Sequence, residues 1–271
     1  MEKKRSKAER IAIITKKLVE NPSEIHTLQQ FSEMFHCAKS TLSEDIDGIG
    51  RLFEEEGLGK VVSLPGAAGG IYYSPVLTPS QVQEVQEDIC RRLNEYSRVI
   101  PGGYVYMNDI FYTPRILQSM ARCIVTRFCN EQVDYVVTIE TKGVPLAMVI
   151  AELLNKPIAV VRKSARLTEG TTMQMNYVTG SNRNIHTMAL PIKSIRRGSR
   201  VLLVDDFMKA GGTAKGIMDL MKEFDTTVVG VAVVMATREP EKKLINDYYC
   251  LVEFQSVDEE KETIQIIPKK M

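Results

Sequence analysis

Two adjacent carboxylates, two adjacent glycines and a hydroxyl group stand close together in one stretch of the chain. Asp205 and Asp206 follow four apolar residues, and Gly211-Gly212-Thr213 come after a short spacer. Carboxylates accept hydrogen bonds from vicinal ribose hydroxyls. Backbone N–H groups at a glycine-bearing turn before a helix bind phosphate. These residue types in this order predict a site for a ribose phosphate.

The spacing differs from that of the common nucleotide-binding loops. It matches neither GxxxxGK[ST] nor GxGxxG. An acidic pair at a strand end, followed by an ordinary turn, is the simpler interpretation of a lone Asp-Asp. The full order of buried strand, Asp-Asp, Gly-Gly-Thr and helix favours the phosphate site.

The stretch resembles the phosphoribosyl-pyrophosphate (PRPP) signature of type I phosphoribosyltransferases, and the resemblance extends over roughly residues 100–240. Residues 136–143 resemble the second strand of that family and its pyrophosphate loop. Residues 160–163 resemble the strand that leads into its mobile loop. The middle region is most similar to xanthine and adenine phosphoribosyltransferases. With the N-terminal segment added, the whole chain resembles the Gram-positive purine operon repressors, in which a phosphoribosyltransferase fold is fused to a DNA-binding domain.

The resemblance implies a set of effector-binding residues. Asp205 and Asp206 would bind the ribose hydroxyls, and the loop that follows would hold the 5′-phosphate. The complete predicted set is Asp205, Asp206, Phe207, Met208, Lys209, Ala210, Gly211, Gly212 and Thr213, with Thr141, Lys142 and Gly143 at the pyrophosphate, Lys163 at the mobile loop, and Tyr104.

Two of these predictions leave alternatives open. Tyr104 and its neighbour Tyr106 could stack against a ligand, although core packing is the commoner role for such tyrosines. Lys209-Ala210 stand where the family usually has two small hydroxyl residues before the first glycine. This departure places catalysis in doubt more than binding, so no catalytic residue is predicted.

Alternating strand and helix patterns surround the predicted site. They imply an α/β fold with a mainly parallel sheet covered on both faces. Ligands bind such sheets beyond the carboxyl ends of the strands, where Glu140 and Asp205 are expected. Strands are predicted near 104–107, 134–140, 157–161, 201–206, 228–234 and 249–254, and helices near 79–97, 114–130, 144–154 and 213–224.

The first 74 residues follow a different pattern, that of a winged helix-turn-helix. Helical spacing of apolar residues is followed by two short apolar stretches around a glycine-rich turn. The predicted helices are 6–20, 28–35 and 38–56, and the predicted hairpin is 60–73. Pro75 and Pro79 mark a linker, so the predicted domains are 1–74 and 75–271.

Small, hydrogen-bonding side chains at the start of the third helix suit contact with base edges and phosphates of double-stranded DNA. The predicted DNA-binding residues are Lys3, Lys4, Arg5 and Lys7 in the basic N-terminal segment, Lys39, Ser40, Thr41 and Ser43 on the third helix, and Gly69 and Gly70 in the wing. Acidic residues fill the later turns of that helix. A protein-binding winged helix, or a module that only dimerises, therefore stays open.

Bulk properties exclude other classes. The net charge of +1 means that any nucleic-acid surface is local. The five cysteines form no CxxC pair and the three histidines are scattered, so no metal site is predicted. The N-terminus is polar and no apolar run is long enough to cross a membrane, which predicts a cytoplasmic protein.

The resulting hypothesis is a homodimeric DNA-binding repressor of purine biosynthesis genes. The resemblance implies PRPP as the effector that releases DNA, with no required cofactor and with the need for Mg²⁺ left open. The alternative is a purine phosphoribosyltransferase enzyme with an appended regulatory domain.

Overall fold

The computed structural model describes residues 5–66, 69–101, 104–178 and 185–270. Lys3 and Lys4, which were predicted to contact DNA, lie outside the described residues. The chain forms two compact units, Met1–Pro79 with Glu152–Asn155, and Ser80–Ala151 with Lys156–Met271. The predicted domain boundary between residues 74 and 75 stays a prediction.

The first unit contains three helices and a β-hairpin, in the order expected for a winged helix-turn-helix. Helices α1 and α2 both begin in capping boxes, formed by Ser6 with Glu9 and by Thr27 with Gln30. The elements are α1 Lys7–Glu20, α2 Leu28–Phe35, α3 Lys39–Glu55, β1 Lys60–Leu64 and β2 Gly70–Ser74, with β1 and β2 antiparallel.

The core of this unit joins all three helices to the wing. Ile14 and Leu18 of α1, Phe31 of α2 and Leu42 of α3 are each at most 1% exposed, and Ile71 of β2 packs in the same cluster. The apolar spacing along each helix therefore positions α3 by burial of its inner face.

The rest of the chain alternates between strands and helices. Its elements are α4 Pro79–Leu93, β3 Val99–Ile100, β4 Tyr104–Val105, α5 Asn108–Phe111, α6 Pro114–Arg127, β5 Tyr135–Ile139, α7 Gly143–Leu154, β6 Ile158–Val161, β7 Thr172–Val178, β8 Ile185–Pro191, β9 Arg200–Met208, α8 Gly212–Glu223, β10 Thr227–Thr237, β11 Tyr249–Asp258 and β12 Thr263–Pro268.

Six of these strands form one sheet in the order β12-β11-β10-β9-β5-β6. Every neighbouring pair is parallel except β11 with β12. The strands β5 and β9 are adjacent, so their carboxyl ends bring Glu140 and the Asp205-Asp206 pair to the same edge. The predicted α/β architecture with a mainly parallel sheet is confirmed.

Several element boundaries differ from the predicted ones. Helix α4 ends at Leu93 rather than Ser97, because the Asn94 amide pairs with the backbone of Ile266, donating to its carbonyl at 2.8 Å and accepting from its N–H at 2.7 Å. Helix α6 also stops three residues early, at Arg127.

The predicted strand at 104–107 is wrong in its placement. Tyr104 and Val105 form β4, which pairs antiparallel with β3 in a small hairpin outside the main sheet. The sequence patterns also missed the antiparallel hairpin of β7 and β8, and the edge strand β12. No helix in the described ranges is both long enough and apolar enough to cross a membrane.

Candidate functional site

The acidic pair lies near the carboxyl end of β9. The Asp206 backbone N–H donates to Asp205 Oδ1 at 2.9 Å. Burial raises the pKa of Asp205 well above its usual range, and the charge of Asp206 raises it further. The Asp206 N–H and the positive charge of Lys163 oppose this rise. A half-buried carboxyl group whose charged form is disfavoured in this way gains from ligand groups that donate hydrogen bonds to it.

Gly143 lets the first turn of α7 approach the acidic pair closely. A Cβ atom on Gly143 would lie 2.4 Å from Thr138 Oγ1 and 3.0 Å from Asp205 Oδ1. Thr138 lies on β5 and is fully buried, and its hydroxyl has no hydrogen-bond partner in the part of the chain that the structure describes. The absent side chain at Gly143 therefore brings the predicted pyrophosphate loop against Asp205.

The predicted phosphate loop connects β9 to α8. Gly211 adopts a left-handed conformation with φ of +81° and stands at the N-cap of α8, where non-glycine residues are strained. Within the described ranges, the N–H groups of Ala210 and Gly211 donate to no protein acceptor. These two N–H groups and the helix N-terminus provide the donors that an anion needs.

Thr213 lies in the first turn of α8, where the β7–β8 hairpin packs on the helix. Burial raises the pKa of Tyr177 of β7, and a hydrogen bond with the Thr213 side chain partly opposes this. A Cβ atom on Gly216 would lie 2.8 Å from Tyr177 Cβ, so the glycine allows this close packing. Sequence patterns missed Tyr177, because nothing in them indicated the hairpin.

A cleft of about 290 Å³ gathers five of the predicted effector-binding residues. Its walls include Tyr104, Lys142, Asp206, Phe207 and Lys209. The tertiary structure therefore places side chains from three separate segments around one cavity.

The interpretation of Tyr104 and Tyr106 as core residues is wrong. Tyr104 is 65% exposed and Tyr106 is 46% exposed. The β3–β4 hairpin that presents Tyr104 is held by Arg98, which makes two hydrogen bonds of 2.8 Å to Asp109 and one of 3.2 Å to the Tyr106 carbonyl. An ion pair that no sequence motif indicated therefore holds the backbone two residues after Tyr104.

Glu140 links the ends of β5 and β6. It accepts a hydrogen bond of 2.7 Å from the Lys163 N–H and lies 3.4 Å from the Arg162 guanidinium, which also pairs with Glu169 at 2.6 Å. The Lys163 N–H, followed by Arg162, lowers the pKa of Glu140. These contacts anchor the start of the predicted mobile loop and direct the chain at Lys163 towards the site.

Three lysines of the predicted site have free charges. Lys142, Lys163 and Lys209 are exposed, and none has a carboxylate within 4.0 Å among the described residues. Unpaired cations near two donor N–H groups favour a ligand with several negative charges.

Other predicted effector residues have lesser or different roles. The Met208 side chain is 4% exposed and packs in the core, so that only its backbone is available. Thr141 is exposed beside Lys142. No group of three or more metal-binding side chains occurs in the described ranges. Asp205 and Asp206 supply two carboxylates, which do not complete the coordination of Mg²⁺ by themselves. They fit Mg²⁺ only in a site where phosphate groups of the ligand complete the coordination.

In the first unit, the predicted recognition residues lie at the start of α3. Lys39 and Ser40 are exposed, whereas Thr41 and Ser43 are half-buried. Ala38 is the N-cap and has no side-chain capping bond, so the first N–H groups of α3 are open to phosphate. In the basic N-terminal segment, Arg5 and Lys7 are exposed.

The wing glycines are required by packing. A Cβ atom on Gly69 would lie 2.2 Å from the Leu64 carbonyl oxygen, and one on Gly70 would lie 2.5 Å from the His26 carbonyl oxygen. Their contact with DNA stays a prediction.

A buried ion pair fixes α3 against α1. Asp45 is 1% exposed and accepts a hydrogen bond of 2.8 Å from Arg10 Nε, while Arg10 also donates to the Arg5 carbonyl at 3.1 Å. Sequence reasoning grouped Asp45 with the acidic residues that weaken a DNA surface. Its burial removes that carboxylate from the surface and gives it a structural role.

Both parts of the chain match known families. Residues 6–75 match the N-terminal domain of bacterial purine repressors, and residues 107–265 match the phosphoribosyl transferase domain. The chain is 38% identical to the purine biosynthesis transcriptional repressor PurR of Bacillus subtilis (strain 168), over 95% of this chain and 90% of that protein. It is also 38% identical to the purine biosynthesis transcriptional activator PurR of Lactococcus lactis subsp. lactis (strain IL1403), over 92% of each.

Solved structures show the same fold in the second unit. Adenine phosphoribosyltransferase from Thermoanaerobacter pseudethanolicus superposes with a TM-score of 0.54 at 16% identity, covering 62% of this chain and 99% of that one. The match to PurR proteins over nearly the whole chain identifies the family. The chain belongs to the PurR family of purine biosynthesis transcriptional regulators, with an N-terminal purine repressor domain and a phosphoribosyltransferase domain.

Proposed function

We propose that the protein is a repressor that binds control regions of purine biosynthesis genes and releases them when its second unit binds PRPP. One observation supports this most directly. A single edge of the sheet combines an acidic pair, a loop with two N–H groups and three lysines that have no partner in the described part of the chain, and the chain also has a repressor domain. PRPP has the complementary groups, namely two ribose hydroxyls, a 5′-phosphate and a pyrophosphate.

Each part of PRPP has a matching group in the site. The ribose hydroxyls would donate to Asp205 and Asp206. The 5′-phosphate would accept from the N–H groups of Ala210 and Gly211 and from the start of α8. The pyrophosphate would lie near Lys142, and Mg²⁺, where present, would arrive with these phosphates. The ribose hydroxyls would supply hydrogen bonds to the Asp205 carboxyl, whose charged form is disfavoured by burial.

The same proposal covers DNA. Lys39, Ser40, Thr41 and Ser43 of α3 would contact double-stranded DNA, with phosphate contacts from the basic N-terminal segment. Two copies of the chain, acting as a homodimer in the cytoplasm, would read two half-sites. PRPP can release DNA only if it binds the DNA-free protein more tightly than the DNA-bound protein. By thermodynamic linkage, DNA then weakens PRPP binding by the same factor.

The first experiment measures binding to promoter fragments of purine biosynthesis genes at one fixed salt concentration, with and without PRPP. We expect specific binding that PRPP weakens, and no effect of ribose 5-phosphate and pyrophosphate added separately. Asp206→Asn should bind the fragments normally and lose the PRPP response. Specific binding that PRPP leaves unchanged would refute PRPP as the effector. Absence of specific binding would support a first unit that serves only for dimerisation.

We also propose that the domain does not catalyse phosphoribosyl transfer. Lys209-Ala210 replace the small hydroxyl residues that precede the glycine in the resembling enzymes, and Lys209 lines the cleft with a basic side chain. A charge of this kind stabilises the polyphosphate ground state as well as the transition state, so it favours binding over turnover. The enzyme hypothesis predicts that pyrophosphate is released from PRPP when Mg²⁺ and one of the bases adenine, hypoxanthine, guanine or xanthine are present. Release that depends on the added base would establish it.

A further inference from the structure

Lys243 is a buried cation directly behind the phosphate loop. Only 9% of the residue is exposed, and its Nζ donates to the Lys209 carbonyl at 2.7 Å and to the Pro240 carbonyl at 3.1 Å. Within the described ranges, no carboxylate lies within 4.0 Å of this ammonium group. Burial lowers its pKa, and the more distant charge of Glu253 partly opposes this. A buried charge without a counter-ion is costly, so its neighbours must stabilise it.

Two successive carbonyl groups of the loop are held by the segment that contains Lys243. The Lys209 carbonyl accepts from the Lys243 ammonium group at 2.7 Å. The Ala210 carbonyl accepts from the Leu244 N–H at 2.9 Å. The loop is therefore supported from one side at consecutive peptide units.

This support determines where the loop N–H groups point. The cis peptide bonds of the described chain lie at Glu140-Thr141 and Glu239-Pro240, so the two loop peptides are trans. In a trans peptide the carbonyl and the N–H point in opposite directions. Carbonyls directed at Lys243 and Leu244 therefore direct the N–H groups of Ala210 and Gly211 away from that segment, where no acceptor among the described residues meets them.

We propose that Lys243 is a positioning residue for the effector site: it holds the Lys209 carbonyl so that the loop N–H groups face the ligand phosphate. Its charge also lies behind the loop and adds a positive potential that water screens poorly. The inference rests on the proposed function, because it assumes that the loop binds the phosphate of PRPP. It adds a residue that lies outside the Asp-Asp to Thr213 signature.

The test compares three substitutions of Lys243 with a neighbouring control. Lys243→Met removes the charge and the donor, Lys243→Gln retains a donor without charge, and Lys243→Arg retains both. Lys242→Met is the matched control, because Lys242 is exposed and adjacent. PRPP affinity is measured by isothermal titration calorimetry, and folding is checked by circular dichroism and thermal unfolding without ligand.

We expect Lys243→Met to weaken PRPP binding about tenfold or more, the factor that corresponds to a lost hydrogen bond to a charged group. Lys243→Arg should bind within about threefold of the wild type, and Lys243→Gln should lie between the two. If Lys243→Met does not fold, the PRPP affinities of Lys243→Gln and Lys243→Arg are compared instead, and weaker binding by Lys243→Gln supports the inference. Equal affinities in all folded variants would overturn the inference.

A second readout separates this inference from the proposed function. In ¹⁵N-labelled protein, inorganic phosphate should shift the amide resonances of Ala210 and Gly211, and Lys243→Gln should reduce those shifts while Lys242→Met leaves them unchanged. A wild-type protein that binds no PRPP would refute the proposed function. The amide shifts caused by inorganic phosphate would still show whether Lys243 positions the loop. Shifts of equal size in wild type and Lys243→Gln would overturn the role of Lys243 whatever PRPP does.

Discussion

Replacing Gly143 by alanine should destabilise the protein and displace Asp205. The new Cβ would lie 2.4 Å from Thr138 Oγ1, which is 1.0 Å short of the 3.4 Å where ordinary contact begins, and 3.0 Å from Asp205 Oδ1. Thr138 is fully buried on a central strand and cannot rotate into solvent. Overpacking of this kind costs about 1–3 kcal/mol. The helix preference of alanine over glycine offsets less than about 1 kcal/mol, since Gly143 only begins its helix.

A double-mutant cycle with Thr138→Ala isolates the contact. Removing the hydroxyl removes the atom at 2.4 Å and leaves the tight contact with Asp205, so Gly143→Ala should cost less in the Thr138→Ala background, by about 1 kcal/mol. The free energy of unfolding is measured by urea denaturation followed by far-UV circular dichroism. Gly143→Ala should also weaken PRPP binding, because the Asp205 carboxyl must move.

Gly48→Ala serves as the control, because Gly48 lies within α3 and a Cβ there would meet, apart from its neighbours and its own helix backbone, no described atom within 4 Å. It should stabilise the protein by about 0.5–1 kcal/mol. The reasoning would be refuted if Gly143→Ala were neutral, or if the effects of Gly143→Ala and Thr138→Ala added within about 0.5 kcal/mol.

The remaining predictions concern the acidic pair and the first unit. Asp206→Asn should retain operator binding in gel-shift assays and lose PRPP sensitivity; a wild-type response would remove the ribose assignment. Because the folded-state pKa of Asp205 is raised above 3.8, its protonated form stabilises the folded protein. This contribution is fully present below pH 3.8 and is lost as the pH rises through the folded-state pKa. The stability of the wild type relative to Asp205→Asn should therefore fall as the pH increases from about 4, and a pH-independent difference would contradict the shift. Lys39→Ala should weaken operator binding and reduce the salt slope by about 1, whereas Lys222→Ala, an exposed lysine of the second unit, should change neither. Asp45→Asn should lower the thermal midpoint and weaken operator binding although its side chain is buried, because Arg10 loses its counter-ion; normal operator affinity would show that this pair does not position α3.

The local order of the chain determined much of the fold. Capping residues at Ser6 and Thr27, helical apolar spacing and the glycine-rich wing are short-range signals, and they predicted the helices and hairpin of the first unit closely. The buried apolar run before Asp205 likewise predicted β9, and the strand–helix alternation predicted the parallel sheet. Such features depend on residues a few positions apart, which is why a single sequence reveals them.

Tertiary structure alone decided which distant groups meet. Lys243 lies 34 residues from the Lys209 carbonyl that it holds, and Arg10 lies 35 residues from Asp45. Neither pairing has a spacing rule, because each depends on how separately formed elements pack. The same is true of the exposure of Tyr104, for which ligand stacking and core packing were both open and which lies at the cleft. The sequence by itself determined most of the helices and central strands and the loop that suits a phosphate. Packing decided the raised pKa of Asp205, the direction of the loop N–H groups and the burial of Asp45, since these depend on burial and on contacts between distant segments.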